Sequence, residues 1–126
     1  MDLKLARALK AADFPVTGFQ LGHRFYPHED ALEWSEATRT HGVTITAYEL
    51  ENHLRDIADG YYCPGLSDLI AACGDKLARL HIIKDTWMAE SENSKHVGEG
   101  ATPEQAVGRL WLALNGHRRS LDQSAA

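Results

Sequence analysis

Apolar positions recur at helical spacing in several stretches of the chain and alternate with polar ones in two others. Leu5, Leu9 and Ala12 fall on one side of a segment that Asp2 can cap, with Lys4, Arg7 and Lys10 largely on the other. The pattern predicts a helix to about Ala12, closed by Phe14-Pro15. Phe19 to Tyr26 reads as strand-like around Gly22 and ends at Pro27. His28 to Thr38 reads as a short acidic helix with Leu32 and Trp34 turned inward. Val43 and Ile45 alternate with Thr44 and Thr46, a brief extended piece before a better defined helix. In that helix Thr46 and Glu49 form a capping box and Ile45 and Leu50 stand at the staple positions. Leu50, Leu54, Ile57 and Ala58 then make an apolar stripe up to Gly60.

Tyr61-Tyr62-Cys63-Pro64 reads as an extended link, and Gly65-Leu66-Ser67-Asp68 begins a helix carrying Leu66, Leu69, Ile70 and Cys73, ended by Gly74. The clearest hairpin follows. Leu80 and Ile82 alternate with His81 and Ile83, Lys84-Asp85-Thr86 turns, and Trp87-Met88-Ala89-Glu90 returns. After the polar loop Glu92-Asn93-Ser94-Lys95, Val97-Gly98-Glu99-Gly100-Ala101 reads as a glycine-punctuated turn. It feeds a helix with Thr102 as cap, Pro103 at the first helical position and Gln105 in the capping-box place. Ala106, Val107, Leu110, Trp111 and Leu114 recur along it, and Asn115-Gly116 supplies a left-handed stop. These elements predict one α+β domain over residues 1–116, with a flexible C-terminal tail over 117–126. Its small antiparallel sheet is centred on the hairpin at about 78–91 and covered by helices at 46–59 and about 103–115.

Composition narrows the class. With 126 residues, 44% apolar and 25% charged, the chain suits a globular domain with a sizeable core and is too apolar for intrinsic disorder. No apolar run approaches the roughly 20 residues that span a bilayer. Met1-Asp2-Leu3-Lys4 opens a charged amphipathic segment, so the expectation is a cytoplasmic protein with no membrane partner. A net charge of -5 works against nucleic acid as a partner, because such binding rests on cations that displace counterions. Cys63 and Cys73 read as free thiols; Cys73 sits near a helix end where the dipole disfavours a thiolate, which leaves Cys63 as the better candidate for reactivity.

Candidate chemistry is sparse. Gly98-x-Gly100 before a helix start suggests an anion cradle, but Pro103 removes a donor, Glu99 adds negative charge and no P-loop lysine follows, so the reading is a structural turn. His23, His28, His41, His53, His81, His96 and His117 are scattered, with no His-Glu-x-x-His or Cys-x-x-Cys to mark a metal site. Glu49 and His53 are read as a surface pair, and Glu29-Asp30, Glu33 and Glu36 as a solvated acidic face, as is the basic strip of Lys4, Arg7 and Lys10. No Gly-x-Ser-x-Gly marks a serine nucleophile. No catalytic residue, metal ligand or cofactor is expected. Trp34, Trp87, Trp111, Tyr61 and Tyr62 read mainly as core, with Tyr61, Tyr62 and Trp34 as the candidate interaction residues should part of that set face solvent.

From Tyr62 to Leu114 the chain resembles an uncharacterised family of small bacterial, prophage and phage-encoded proteins. The likeness is carried by Pro64, Leu66-Ser67-Asp68-Leu69-Ile70, Ala72-Cys73-Gly74-Asp75, Trp87-Met88-Ala89, Gly98-Glu99-Gly100, Thr102-Pro103-Glu104-Gln105-Ala106-Val107 and Leu110-Trp111-Leu112-Ala113-Leu114. That family carries no established activity, so the resemblance implies a fold and a gene context and transfers no site. Strand, strand, a Gly-x-Gly-x-Thr-Pro-Glu-x-Ala turn and a helix are also similar to the core of HicB-type antitoxins, which bind a small toxin and often regulate transcription. No terminal DNA-binding extension is identifiable here. The expectation for function is a noncatalytic protein-interaction or accessory module of phage or prophage type, with another protein as partner and the oligomeric state open. The alternatives are a HicB-like antitoxin or regulator, and a small enzyme whose site gathers scattered His, Cys and carboxylate side chains.

Overall fold

In the computed structural model, which describes residues 1–125 and their side chains through Asn115, the first helix forms where the apolar spacing places it. Helix α1 spans Leu3–Ala11, and the Asp2 carboxylate accepts from Leu5 N at 2.8 Å. It ends in a Schellman closure: Asp13 adopts the left-handed region at φ 59°, Asp13 N donates to Lys10 O and Phe14 N donates to Leu9 O.

Among the described residues the strands form two antiparallel sheets rather than one. The first has the order β2-β1-β3, from Val43–Thr44, Arg24–Tyr26 and Tyr61–Cys63. Only the end of the expected strand at 19–26 joins the ladder; Leu21 and Gly22 turn, after which Gly22 N donates to Ile45 O and Ile45 N donates to His23 O. The expected helix at 28–38 is absent. Ser35 caps a later helix, α2 (Glu36–His41), by accepting from Thr38 N at 3.1 Å, and Leu32 is 80% exposed. A side chain that accepts from the backbone two or three residues on fixes a helix start, and here that residue lies in the middle of the acidic run.

The predicted helix at 46–59 is two. Helices α3 (Ala47–Asn52) and α4 (Leu54–Asp59) meet at His53, whose backbone at φ -127° and ψ 26° leaves the helical region. The Thr46 and Glu49 capping box is present. The break shifts the helical phase, so Leu54 is 53% exposed while Ile57 is buried. These helices cover the first sheet, not the hairpin: Ile57 and Leu50 pack with Phe25, Ile45 and Tyr62.

Helix α5 (Leu66–Cys73), ended by Gly74 at φ 61°, leads to the second sheet, of order β4-β5-β6. Strands β4 (Arg79–Ile83) and β5 (Thr86–Glu90) are joined by two residues, Lys84 and Asp85, at φ 48° and 66°. That is the type I′ geometry which matches the twist of a hairpin. The expected glycine turn is strand β6 (Val97–Gly100), paired with β5 so that Gly98 faces Ala89 and Gly100 faces Trp87. Strand and turn share a glycine signature, and here the glycines serve a close approach. A Cβ on Gly98 would collide with the backbone of Ala106 and Leu110, which is where the last helix lies on the sheet.

That helix, α6 (Pro103–Ala125), has Ala106, Val107, Leu110 and Trp111 buried against Ala89, Leu69, Cys73, Leu5, Leu9 and Phe14. Its backbone passes Gly116, so the predicted stop there is absent. One interior glycine costs about 1 kcal/mol against alanine, too little to end a helix alone. Ala126, the last residue of the expected tail, lies outside the described residues.

Candidate interaction surface

The two outer strands of the second sheet are treated differently. Around a two-residue turn, Ile83 and Thr86 form the closing hydrogen-bonded pair, so residues 79, 81 and 83 exchange bonds with β5. The N–H and C=O groups of Leu80 and Ile82 then point away from the sheet, and among the described residues no hydrogen bond reaches them. On the opposite margin the same alternation turns Glu99 outward, and there Arg109 Nη1 donates to Glu99 O at 2.6 Å. Helix α6 thus caps one outward carbonyl on the β6 margin, whereas no described side chain reaches the outward groups of the β4 margin.

The side chains along β4 repeat the contrast. Leu80, Ile82 and Trp87 stand on the face that carries Ala89, Gly98 and Gly100, the face α6 covers. Helix α6 lies mainly on β6 and β5, so Ile82 beyond it is 53% exposed, and Ile83 on the other face is 49% exposed. On that other face Glu90 accepts from His81 Nε2 at 2.9 Å and pairs with Arg79 Nε at 3.4 Å. The bond from His81, with help from Ser94 and Arg79, holds the Glu90 carboxyl below the ordinary carboxylate range. The edge strand itself carries no carboxylate and no proline, two of the features that usually discourage pairing.

The residues singled out from the sequence lie elsewhere. Tyr62 is 8% exposed and belongs to the first core, its ring edge-on to Phe19 and its hydroxyl 2.6 Å from His23 Nδ1. Burial raises its pKa. Tyr61 is half-buried and donates to Glu29 Oε2 at 2.9 Å, with burial first and Glu29 second in raising its own pKa. Trp34 is half-buried, packed edge-on against Phe25 and His53. Of the three, none is an open aromatic anchor. The chain's large exposed ring is Tyr48, which packs against His53 from the other side.

The basic strip on α1 is not a free solvated face. Arg7 pairs with Glu29 at 3.2 Å, and Arg7 and Lys10 both stand over the Tyr61 ring. Lys10 Nζ donates to the carbonyl oxygens of Ala58, Asp59 and Gly60, closing the end of α4. Glu29, bonded by its own backbone N–H and by Tyr61, sits below the ordinary carboxylate range.

Cys63 and Cys73 are both buried, and burial pushes each thiol up to about 11. The better-placed candidate from the sequence, Cys63, packs with Ala6 and Tyr26. Among the described residues no three His, Cys, Asp or Glu side chains are grouped to hold a metal. His28, Asp30, Glu33, Asp56 and Asp59 do line one shallow cleft of about 500 Å³. A second hollow, of about 290 Å³, lies between the end of α1 and β3 and is walled by Leu9, Phe14, Val16, Phe19, Ile57 and Tyr62. Its lining is mostly apolar, with Lys10 and Asp13 as the charged members.

The open edge was missed in the sequence because alternation reveals a strand and not which of its sides is paired. The nearest signal was the run Leu80-His81-Ile82-Ile83, which has no charge to repel another strand. Among the described residues no helix is long and apolar enough to cross a membrane. Comparison with protein-family models, with curated proteins and with solved structures gave no match.

Proposed function

We propose that this chain is a noncatalytic, cytoplasmic protein-interaction module that works by strand addition, receiving an extended segment of another chain along β4. The observation that supports the reading is the β4 edge itself, where the outward N–H and C=O groups of Leu80 and Ile82 lie beside exposed Ile82 and no described side chain caps them, while Arg109 caps Glu99 O on the other margin. A free edge supplies the main-chain hydrogen bonds of such a complex, and the alternating side chains beside it supply selectivity. Exposed Ile82 is the apolar contact on one face; His81, Arg79 and Ile83 frame the other. On the resemblance of its closing motif to small phage and prophage proteins, we place the module among their accessory proteins.

The test is affinity capture with a tagged chain in cells that also express the untagged chain, run side by side with the variant Ile82→Pro. Because the Ile82 N–H points outward, proline there removes an edge donor without removing a bond of the sheet. Proteins held by the parent chain and lost from the variant are the expected result. Identical captured sets would refute the reading.

A further inference from the structure

We infer that the strand added along β4 is β4 of a second copy of this chain, giving a two-fold dimer with a continuous six-stranded sheet. The inference rests on the reading of β4 as the recognition edge and names its partner. Its ground is the symmetry of the edge about His81. The outward groups are the N–H and C=O of Leu80 and of Ile82, one residue to either side of His81. An antiparallel copy related by a two-fold axis at His81 brings Leu80 opposite the copy's Ile82 and Ile82 opposite the copy's Leu80. All four outward groups on each chain then meet their counterparts.

The side chains agree with that register. Leu80 and Ile82 lie on the same face, so each chain covers the other's exposed Ile82 with a leucine, and two apolar cross-strand pairs replace two isolated apolar side chains. On the opposite face Arg79 comes beside the copy's Ile83, which is 49% exposed. The only ionisable pair brought directly opposite is His81 with His81, and each is already engaged by Glu90 of its own chain at 2.9 Å. No two lysines, arginines or carboxylates are forced opposite each other, although the chain as a whole carries -5. A shift of one residue would set the outward Ile82 groups against His81, whose own groups face β5, and a shift of two would pair just one of the two outward residues with its counterpart, so the pairing about His81 is the register that uses all four groups. Because α6 leans mainly on β5 and β6, the incoming strand meets no helix along the edge itself.

A single strand edge is a small interface, and the association belongs with the weak ones. The experiment is therefore sedimentation of the full chain over a wide concentration range, together with isotope-filtered nuclear Overhauser spectra on a sample mixing labelled and unlabelled chains. The expected result is a monomer–dimer equilibrium with a contact between the Hα of His81 and that of the copy's His81, which face each other only in this register. Ile82→Pro should weaken the dimer at least about tenfold with an unchanged circular-dichroism spectrum. Ile82→Lys, which places a charge where the leucine must dock, should do the same if proline disturbs the fold. A chain that stays monomeric at the highest concentration overturns the inference, and the proposed function then stands or falls on whether capture depends on Ile82. A dimer whose contacts lie away from β4, or one indifferent to both variants, overturns the inference and counts against β4 as a recognition edge.

Discussion

Two glycines on facing elements should respond to alanine with opposite signs. At Gly98 an added Cβ would fall far inside contact distance of Ala106 O and Leu110 N and 3.0 Å from the carbonyl carbon of Arg109. All three are backbone atoms of α6, so no rotamer change relieves the overlap. The helix must withdraw by about 1 Å to restore the 3.4 Å at which ordinary contact begins. A gap of 0.5–1 Å forfeits roughly a quarter to a half of each dispersion contact across it, and a buried leucine makes some 40–60 contacts of about 0.1–0.2 kcal/mol. Val107 and Leu110, both fully buried, and Trp111 ride on the displaced turns. The loss at one such leucine is about 3 kcal/mol, so Gly98→Ala should cost at least that much, the upper end of ordinary overpacking. At Gly108 the added Cβ would meet the Leu5 methyls, Cδ2 at 3.4 Å and Cδ1 at 3.8 Å, and Met1 Cε at 3.7 Å, all ends of side chains at ordinary contact distance. There the helix gains about 0.5–1 kcal/mol from alanine. Urea unfolding followed by tryptophan fluorescence and circular dichroism measures both variants. If Gly98→Ala lies within about 0.5 kcal/mol of the parent chain, the close approach of β6 and α6 is not what holds this core.

Further measurements test other parts of the account. Glu90 has a depressed folded pKa, so its ionised form stabilises the fold fully above the unfolded value near 4.3, and this contribution is lost as pH falls through the lower folded value. The stability difference between the parent chain and Glu90→Gln should be flat at neutral pH and shrink below about pH 4; a difference that grows on acidification would contradict the assignment. Lys10→Met should cost about 0.5–1 kcal/mol by opening the end of α4, with the loss smaller in high salt. Replacing Lys84-Asp85 by Asn-Gly relieves two left-handed residues and should raise stability by about 1 kcal/mol in the same urea assay. With both thiols at about 11, a disulfide reagent at pH 8 should label neither until urea unfolds the chain; prompt labelling of one thiol per chain would show an accessible cysteine.

What was legible in the sequence is what depends on neighbours within one or two turns. The caps at Asp2 and Thr46, the stripe through Leu110 and Trp111 and the hairpin at 79–90 all stand where local spacing puts them. The failures come from contacts between distant segments. Gly98 and Gly100 carry a turn signature, and only the position of α6 reveals them as the smooth face of a strand. His53 gives no local reason for a helix to break. In the fold its ring packs against Trp34 and Tyr48 and its Nδ1 lies 3.2 Å from Asp56. Lys10 and Arg7 look like solvent-facing cations until Tyr61 and the end of α4 arrive beside them from some fifty residues away. The open edge was beyond reach for the same reason, since the Arg109 bond that caps the other margin spans two elements.

Helix α1 then decides whether the two sheets behave as one body. The first sheet has strands of two or three residues, too short to persist unaided. Its β3 margin is covered by α1, where Ala6 packs on Tyr26 and Cys63, and Tyr26 donates to Met1 O at 2.8 Å. Leu5 and Leu9 of the same helix lie in the other core, with α5 and α6. Pulling α1 from either side strips apolar surface from both, so the halves should unfold together even though their sheets share no strand. Strand β4 stands outside that arrangement: α1 and α6 both lean mainly on other elements. Its pairing with β5 and the packing of Leu80 on the core hold it in place, so a strand added there would require no core to repack, which lowers the ordering cost that a short edge must offset.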